Sequence, residues 1–209
     1  MSEIIELKIV IVGSSRVGKT SILNRYLNNT FQENFLSTVG LDKRLRHYSF
    51  KDSEVNIQYI DTAGQEKFRA LTNTYLKKAD GVILVFDITE KETFYLINQL
   101  IEEIDKNNII HNLGLVLLGN KLDLNDKRAV NKEEGQKLAS NLNCKYIEVS
   151  AKTGEKIDEA FDEISTETYQ KYKKSGKRNT SFFLKNSKKQ NKHKTKDKKK
   201  EIDCCSSDV

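Results

Sequence analysis

The chain contains no proline, only three cysteines, and no apolar run of the ~18 residues that a membrane-crossing helix requires. Without proline there are no hinge or linker markers, so domain boundaries must be read from charge and hydrophobicity. Cys144 stands alone and Cys204-Cys205 lie next to the end, too few and too badly placed for a disulfide framework, which fits a reducing compartment. Residues Met1 to Val12 lack both the basic start and the long apolar stretch of a signal peptide, so the sequence reads as cytosolic. No internal repeat of about 20 to 50 residues is visible, which sets aside solenoids and propellers.

What is there suffices for one core. The 209 residues are 37% hydrophobic and 32% charged, enough apolar material for a single globular domain and a solvated remainder. The formal charge of +6 misleads as an average: residues 176–209 hold 11 of the 36 basic and four of the 30 acidic residues, so that segment carries +7 and the rest −1. A folded part so close to neutral, with no recognisable nucleic-acid module, argues against binding to nucleic acid.

Hydrophobic patterning predicts the elements. Leu7 to Val12 is a β-branched run that stops at a glycine-bearing turn, and Val17 to Leu27 has helical spacing. Residues 41–50 and 54–60 are predicted strands, joined as an antiparallel hairpin through Lys51-Asp52-Ser53. Three further strands (Gly81 to Phe86, Gly114 to Leu118, Lys145 to Val149) are separated by helical segments near 92–106 and 131–141. Such alternation implies a mainly parallel sheet. Ile157, Ala160, Phe161 and Ile164 form one apolar stripe on a last helix between Gly154 and Tyr172. From about Lys173 the chain is Lys, Asn and Ser with too little apolar material for a core, so the domain is expected over 1–173 and a disordered tail over 174–209.

Gly13-Ser14-Ser15-Arg16-Val17-Gly18-Lys19-Thr20 fits GxxxxGK[ST] between a predicted strand and a predicted helix. Its glycines let backbone amides approach an anion, the helix points its positive end there, Lys19 can neutralise β- and γ-phosphate oxygens, and Thr20 can ligate Mg²⁺. The bland alternative is an ordinary glycine turn, which the strand-loop-helix context disfavours. Asp61-Thr62-Ala63-Gly64-Gln65-Glu66 begins where the third strand ends, so Asp61 emerges at the same sheet edge and can hold a metal's water shell. Gly64 lets an amide meet a γ-phosphate, and Gln65 can orient an attacking water; read alone, the hexapeptide is equally a solvated acidic turn. In Asn120-Lys121-Leu122-Asp123, the Asp123 carboxylate matches the paired N–H donors of guanine, which adenine lacks, and Lys121 can lie along the purine plane. Ser150-Ala151-Lys152 can present the Ala151 amide to guanine O6, and Phe31 either covers the base edge or belongs to the core.

In this order and spacing, the phosphate loop, Thr38, DTAGQE, NKLD and SAK resemble the Ras superfamily of small GTPases over residues 5 to about 173. Lys67 to Thr72, Leu84 to Thr89 and the twin cysteines make the chain most similar to Rab proteins. The resemblance implies a P-loop NTPase G domain, a three-layer α/β/α fold with a six-stranded, mostly parallel sheet and one antiparallel strand. It implies GTP/GDP bound by Ser14, Ser15, Arg16, Val17, Gly18, Lys19, Thr20, Ser21, Phe31, Thr38, Gly64, Asn120, Lys121, Asp123, Ser150, Ala151 and Lys152. It also implies Mg²⁺ held at Thr20, Thr38 and Asp61. Residues 62–76 would form the second switch, and a water held by Gln65 and the Thr38 carbonyl would attack in line, with Lys19 stabilising charge. A GAP, an exchange factor, effectors and monomeric behaviour follow from the same likeness. The chain departs from the Rab pattern at Lys43, a usual phenylalanine position, at Ile60, a usual tryptophan, and at Arg16, which either adds charge near the phosphates or points to solvent. Solvent is the favoured reading of Arg16.

Ten lysines between Lys177 and Lys200 either attract an anionic leaflet or merely solubilise the tail. Cys204-Cys205 is followed by Ser206-Ser207-Asp208-Val209, which excludes a CaaX box and resembles Rab tails carrying two geranylgeranyl groups; plain surface thiols are the alternative. Two lipids on a polybasic tether would anchor firmly on the cytoplasmic face of endomembranes yet remain extractable to the cytosol by a prenyl-binding chaperone. The leading expectation is thus a regulatory GTPase of vesicle and membrane traffic. A non-hydrolysing scaffold would not need Gln65 and Thr38, and a metabolic P-loop kinase would not need Asp123.

Overall fold

The computed structural model describes residues 4–33, 41–62, 74–105 and 112–176. The elements run β1 (Ile5–Val12), α1 (Lys19–Asn28), β2 (Leu41–Phe50), β3 (Ser53–Thr62), β4 (Gly81–Asp87), α2 (Lys91–Asp105), β5 (Gly114–Asn120), a 3₁₀ turn (Leu122–Lys127), α3 (Lys132–Asn141), β6 (Lys145–Glu148) and α4 (Ile157–Ser175). One six-stranded sheet forms in the order β2-β3-β1-β4-β5-β6. Only the β2–β3 pair is antiparallel; β1–β3, β1–β4, β4–β5 and β5–β6 are parallel. The expected α/β sheet is present. Ser53, expected in the hairpin turn, instead pairs with Phe50, so the turn is the two residues Lys51-Asp52.

The sheet is covered on both faces, which is why its central strands are apolar throughout: every residue of β4 (GVILVFD) and β5 (GLVLLGN) is buried. Strand β1 distributes its side chains by the two-residue period, with Leu7, Ile9 and Ile11 joining Ile22 and Leu23 of α1 and Phe161 and Ile164 of α4. Val10 and Val12 join Phe94 and Ile97 of α2 and Ala139 of α3 in the opposite layer. Helix α3 is started by a capping contact, the Glu134 carboxylate accepting from the Asn131 amide at 2.9 Å.

The edge strand β2 is tied to the helices as well as to β3. The Tyr26 hydroxyl on α1 bonds the Tyr48 hydroxyl on β2, Tyr48 bonds Tyr59 on β3 (2.5 Å), and Tyr59 bonds Ser165 Oγ on α4 (2.9 Å). Ser165 Oγ then donates to the Phe161 carbonyl at 2.6 Å. Burial pushes the Tyr26 and Tyr59 phenols far above their ordinary range, so both stay neutral. The Tyr26 ring stacks on Phe161 (3.8 Å between centroids), with the Arg46 guanidinium 4.2 Å over the centroid of the same ring.

Helix α4 passes the composition change at Lys173 and ends at Ser175, capped by Gly176 with φ 62°. The described residues up to Gly176 belong to one compact unit. Residues 177–209, with Cys204 and Cys205, lie outside the described residues, as do Thr38, Gly64 and Gln65.

Candidate functional site

Because the strands that precede the motifs run parallel, their ends deliver those motifs to one edge of the sheet. Val12 leads into the phosphate loop, Asp61 lies opposite Ile11, and Asn120 lies opposite Asp87. The edge is where the chain leaves β1 between β3 and β4, the place at which open α/β sheets bind ligands.

The phosphate loop is shaped by two close approaches. A Cβ on Gly13 would lie 2.1 Å from the Val85 carbonyl oxygen, and one on Gly18, at φ 94°, would lie 2.4 Å from Asn120 Nδ2. Val17 between them is fully buried, which anchors the loop, whereas Ser15 and Arg16 are exposed and Ser14, Gly18 and Ser21 are intermediate. Arg16 holds φ 64°, a left-handed value that costs strain in a side-chain-bearing residue. Helix α1 starts at Lys19, and the Lys19 ammonium folds back to donate to the carbonyls of Gly13 (2.9 Å) and Ser14 (2.7 Å). Burial lowers its pKa to about 8, the nearby Asp61 only partly opposing the loss.

Thr20 Oγ1 donates to Asp61 Oδ2 at 2.5 Å. Asp61 is fully buried, and burial raises its carboxyl above the ordinary carboxylate range. Its other oxygen, Oδ1, has no hydrogen-bond partner. A buried carboxylate oxygen without a donor, beside a threonine hydroxyl, fits the outer shell of an oxygen-loving cation such as Mg²⁺. Among the described residues no group of three His, Cys, Asp or Glu side chains could by itself hold a metal.

The other end of the edge is a frame of side chains. The Asn120 amide donates from Nδ2 to the Val17 carbonyl (2.8 Å) and accepts at Oδ1 from the Ala151 amide (3.2 Å), joining the phosphate loop to the loop after β6. Sequence reasoning aimed the Ala151 amide at guanine O6. In the structure that amide donates to the buried Asn120 oxygen, which needs a donor. Ser150, fully buried, donates to Asp123 Oδ1 at 2.6 Å and accepts from the Thr153 amide at 3.1 Å, which orients the exposed Asp123 carboxylate. Lys121, at φ 71°, pairs its ammonium with the buried Asp87, whose Oδ1 accepts from both the amide (2.9 Å) and the hydroxyl (2.7 Å) of Thr89. Lys152 pairs with Glu33 at 3.0 Å, and Phe31 packs half-buried against the α1–α4 side of the core.

Two contributors lay outside the nucleotide motifs. Asp87 had a signal, a carboxylate at the end of a wholly apolar strand, which must find a partner. Arg25, which donates to the carbonyls of Ala151 and Lys152, had none, because basic residues on a helix surface are common. At the departures from the Rab pattern, Lys43 holds its ammonium 5.1 Å from the Tyr75 ring centroid and faces the buried Ile60 across the hairpin.

This doubly covered sheet, with a phosphate loop at one end of its edge and an Asn-Lys-x-Asp frame at the other, is the build of a small GTPase. The Ras family model matches residues 8–170, and the chain belongs to that family. Ras-related protein Rab-8B of Homo sapiens is 40% identical over 154 residues, 74% of this chain and 74% of that protein. Ras-related protein Rab-1 of Theileria parva is 38% identical over 159 residues, covering 76% and 72%. GTP-binding protein ypt1 of Schizosaccharomyces pombe is 36% identical over 154 residues, covering 74% and 75%. Within the Ras superfamily the chain is therefore a Rab-type small GTPase.

Proposed function

We propose that this Rab-type GTPase regulates vesicle traffic as a monomeric timer, holding GTP with its switches engaged on effectors and releasing them after hydrolysis. The observation that carries the reading is the Asn120 amide, which ties the phosphate loop at Val17 to the base-side loop at Ala151 and so sets both ends for one ligand. Asp123, oriented by Ser150, reads the guanine edge. Lys19 exchanges its two loop carbonyls for β- and γ-phosphate oxygens, an anionic partner that restores the proton burial disfavours. Thr20, Thr38 and Asp61 would hold a Mg²⁺ ion, which when bound neutralises charge on the phosphate oxygens. Gln65 and the Thr38 carbonyl orient the attacking water, and Lys19 with the loop amides stabilises charge on the transferring group. A GAP accelerates this slow step and an exchange factor reloads the site. The polybasic tail, with Cys204 and Cys205 prenylated, holds the protein on the cytoplasmic face of endomembranes, from which a prenyl-binding chaperone retrieves it.

Calorimetry with GDP and ADP on the purified, magnesium-loaded chain tests the nucleotide reading, since equal affinities would end it. Gln65→Leu is expected to slow GTP hydrolysis at least about tenfold with affinity unchanged, because only transition-state positioning is lost. A parallel loss of affinity would remove Gln65 from that role. Imaging of the tagged chain with and without Cys204→Ser and Cys205→Ser tests the anchor, which predicts that the doubly substituted chain leaves membranes.

A further inference from the structure

Arg25 lies two turns into α1, outside every nucleotide motif, yet its guanidinium makes four hydrogen bonds. Its Nε donates to the Ala151 carbonyl at 2.9 Å and its Nη2 to the Lys152 carbonyl at 2.6 Å. Its Nη1 donates to the backbone oxygen of Asn29 (3.1 Å) and to Asn29 Oδ1 (3.0 Å). Asn29, at φ 52°, returns its own amide to the Arg25 carbonyl at 3.0 Å, so the helix end and the guanidinium hold each other in place.

These bonds close a ring. From Val17 the path runs through the Asn120 amide to the Ala151 N–H, across that peptide residue to its carbonyl, through the Arg25 guanidinium to α1, and back along the helix to Lys19 and Val17. Ala151 is thus gripped from both sides, by Asn120 on its amide and by Arg25 on its carbonyl. The helix that carries the phosphate-binding Lys19 and Thr20 is rigid, so whatever fixes its far half to the base-side loop fixes the spacing between the two ends of the site. A planar guanidinium suits the task, because its fork reaches two successive carbonyls at once, which a single ammonium cannot do in the same geometry.

We propose that Arg25 is a positioning residue that keeps this ring closed and thereby sets how long guanine nucleotide remains bound. The proposal rests on the nucleotide reading above and adds to it the control of release. The base-side loop must part from α1 for the nucleotide to leave. Without the guanidinium, the carbonyls of Ala151 and Lys152 turn to water and the loop opens more often. The phosphoryl chemistry, set at Lys19 and Gln65 at the other end, is untouched. A partner that drew the guanidinium away with a carboxylate would open the ring by the same step.

The test loads full-length protein with a fluorescent GDP analogue and follows its release into excess GDP for wild type, Arg25→Ala and Arg25→Lys. Single-turnover hydrolysis of preloaded GTP is measured alongside. Arg25→Ala is expected to release at least about tenfold faster and Arg25→Lys to fall between it and wild type, while bound GTP is hydrolysed within about twofold of the wild-type rate. Ile97→Val, which trims a buried side chain of α2 in the opposite layer, controls for lost stability and is expected to melt earlier with release unchanged. Release from Arg25→Ala within about twofold of wild type, a hydrolysis rate that falls in step, or an equal acceleration in Ile97→Val would each overturn the clamp. If Arg25→Ala does not fold, Arg25→Lys decides by the same comparison. A wild-type chain that retains no guanine nucleotide overturns the nucleotide reading itself, a result distinct from unaltered release in the variants.

Discussion

The two ends of the nucleotide edge are built on opposite plans. At the phosphate end the groups that matter are left wanting: the buried Lys19 ammonium is hydrogen-bonded to loop carbonyls and not to a carboxylate, and Asp61 Oδ1 has no donor. At the base end the side chains satisfy one another, with Ser150 on Asp123, Asn120 on Ala151, and Asp87 on Lys121. An end that carries unmet electrostatic demand gains most when its ligand arrives and so supplies affinity. An end whose polar groups are already arranged loses little on binding and can reject a wrong base, so it supplies discrimination.

The largest effect expected from this division is on selectivity. Asp123→Ala should erase the preference for GDP over ADP by about 10³-fold or more, since the base would no longer meet a matched acceptor. Competition binding of the two diphosphates measures it, and a retained preference would show that discrimination is not concentrated at the base end. Next comes Lys19→Ala, expected to weaken GTP binding by about 100-fold while leaving the GDP-to-ADP ratio as in wild type. A change in that ratio would break the separation of the two ends.

A smaller effect follows from acidity. Lys19 titrates at about 8 in the nucleotide-free fold and at its ordinary 10.5 when unfolded. Between those values the unfolded chain binds more protons, so the nucleotide-free fold gains stability as pH rises. With the ammonium holding phosphate as proposed, nucleotide affinity should fall over the same interval by up to about tenfold per pH unit. Titration calorimetry with GDP across that window, compared with Lys19→Ala, checks both the slope and its source. Equal slopes in the two proteins would assign it elsewhere.

Much of this was legible in the sequence because it rests on local rules. The wholly apolar runs of β4 and β5 and the stripe on α4 announce a sheet covered on both faces. The phosphate loop is readable because the glycines, the lysine and the hydroxyl stand next to one another in the chain. The ties across the site were not readable. Arg25 meets Ala151 across 126 positions of sequence, and Asn120 meets Val17 across 103, so their pairing exists only once the sheet has set its register. The bond from the Ala151 amide to Asn120 was hidden for the same reason, since the two lie thirty-one positions apart. Sequence spacing also placed Ser53 in the hairpin turn, although pairing with Phe50 extends the strand by that residue.

The tyrosine contacts beneath β2 have a direction. A carbonyl can only accept, so Ser165 gives its single proton to Phe161 and must take one from Tyr59. Tyr59 is then committed as a giver to Ser165 and takes from Tyr48, and Tyr48 in turn takes from Tyr26. The orientation of every hydroxyl from α1 through the sheet is therefore dictated by one peptide oxygen on α4. Ser165→Ala would release that constraint and allow the whole row to turn over together, whereas Tyr26→Phe would trim its first member and leave the others facing as before.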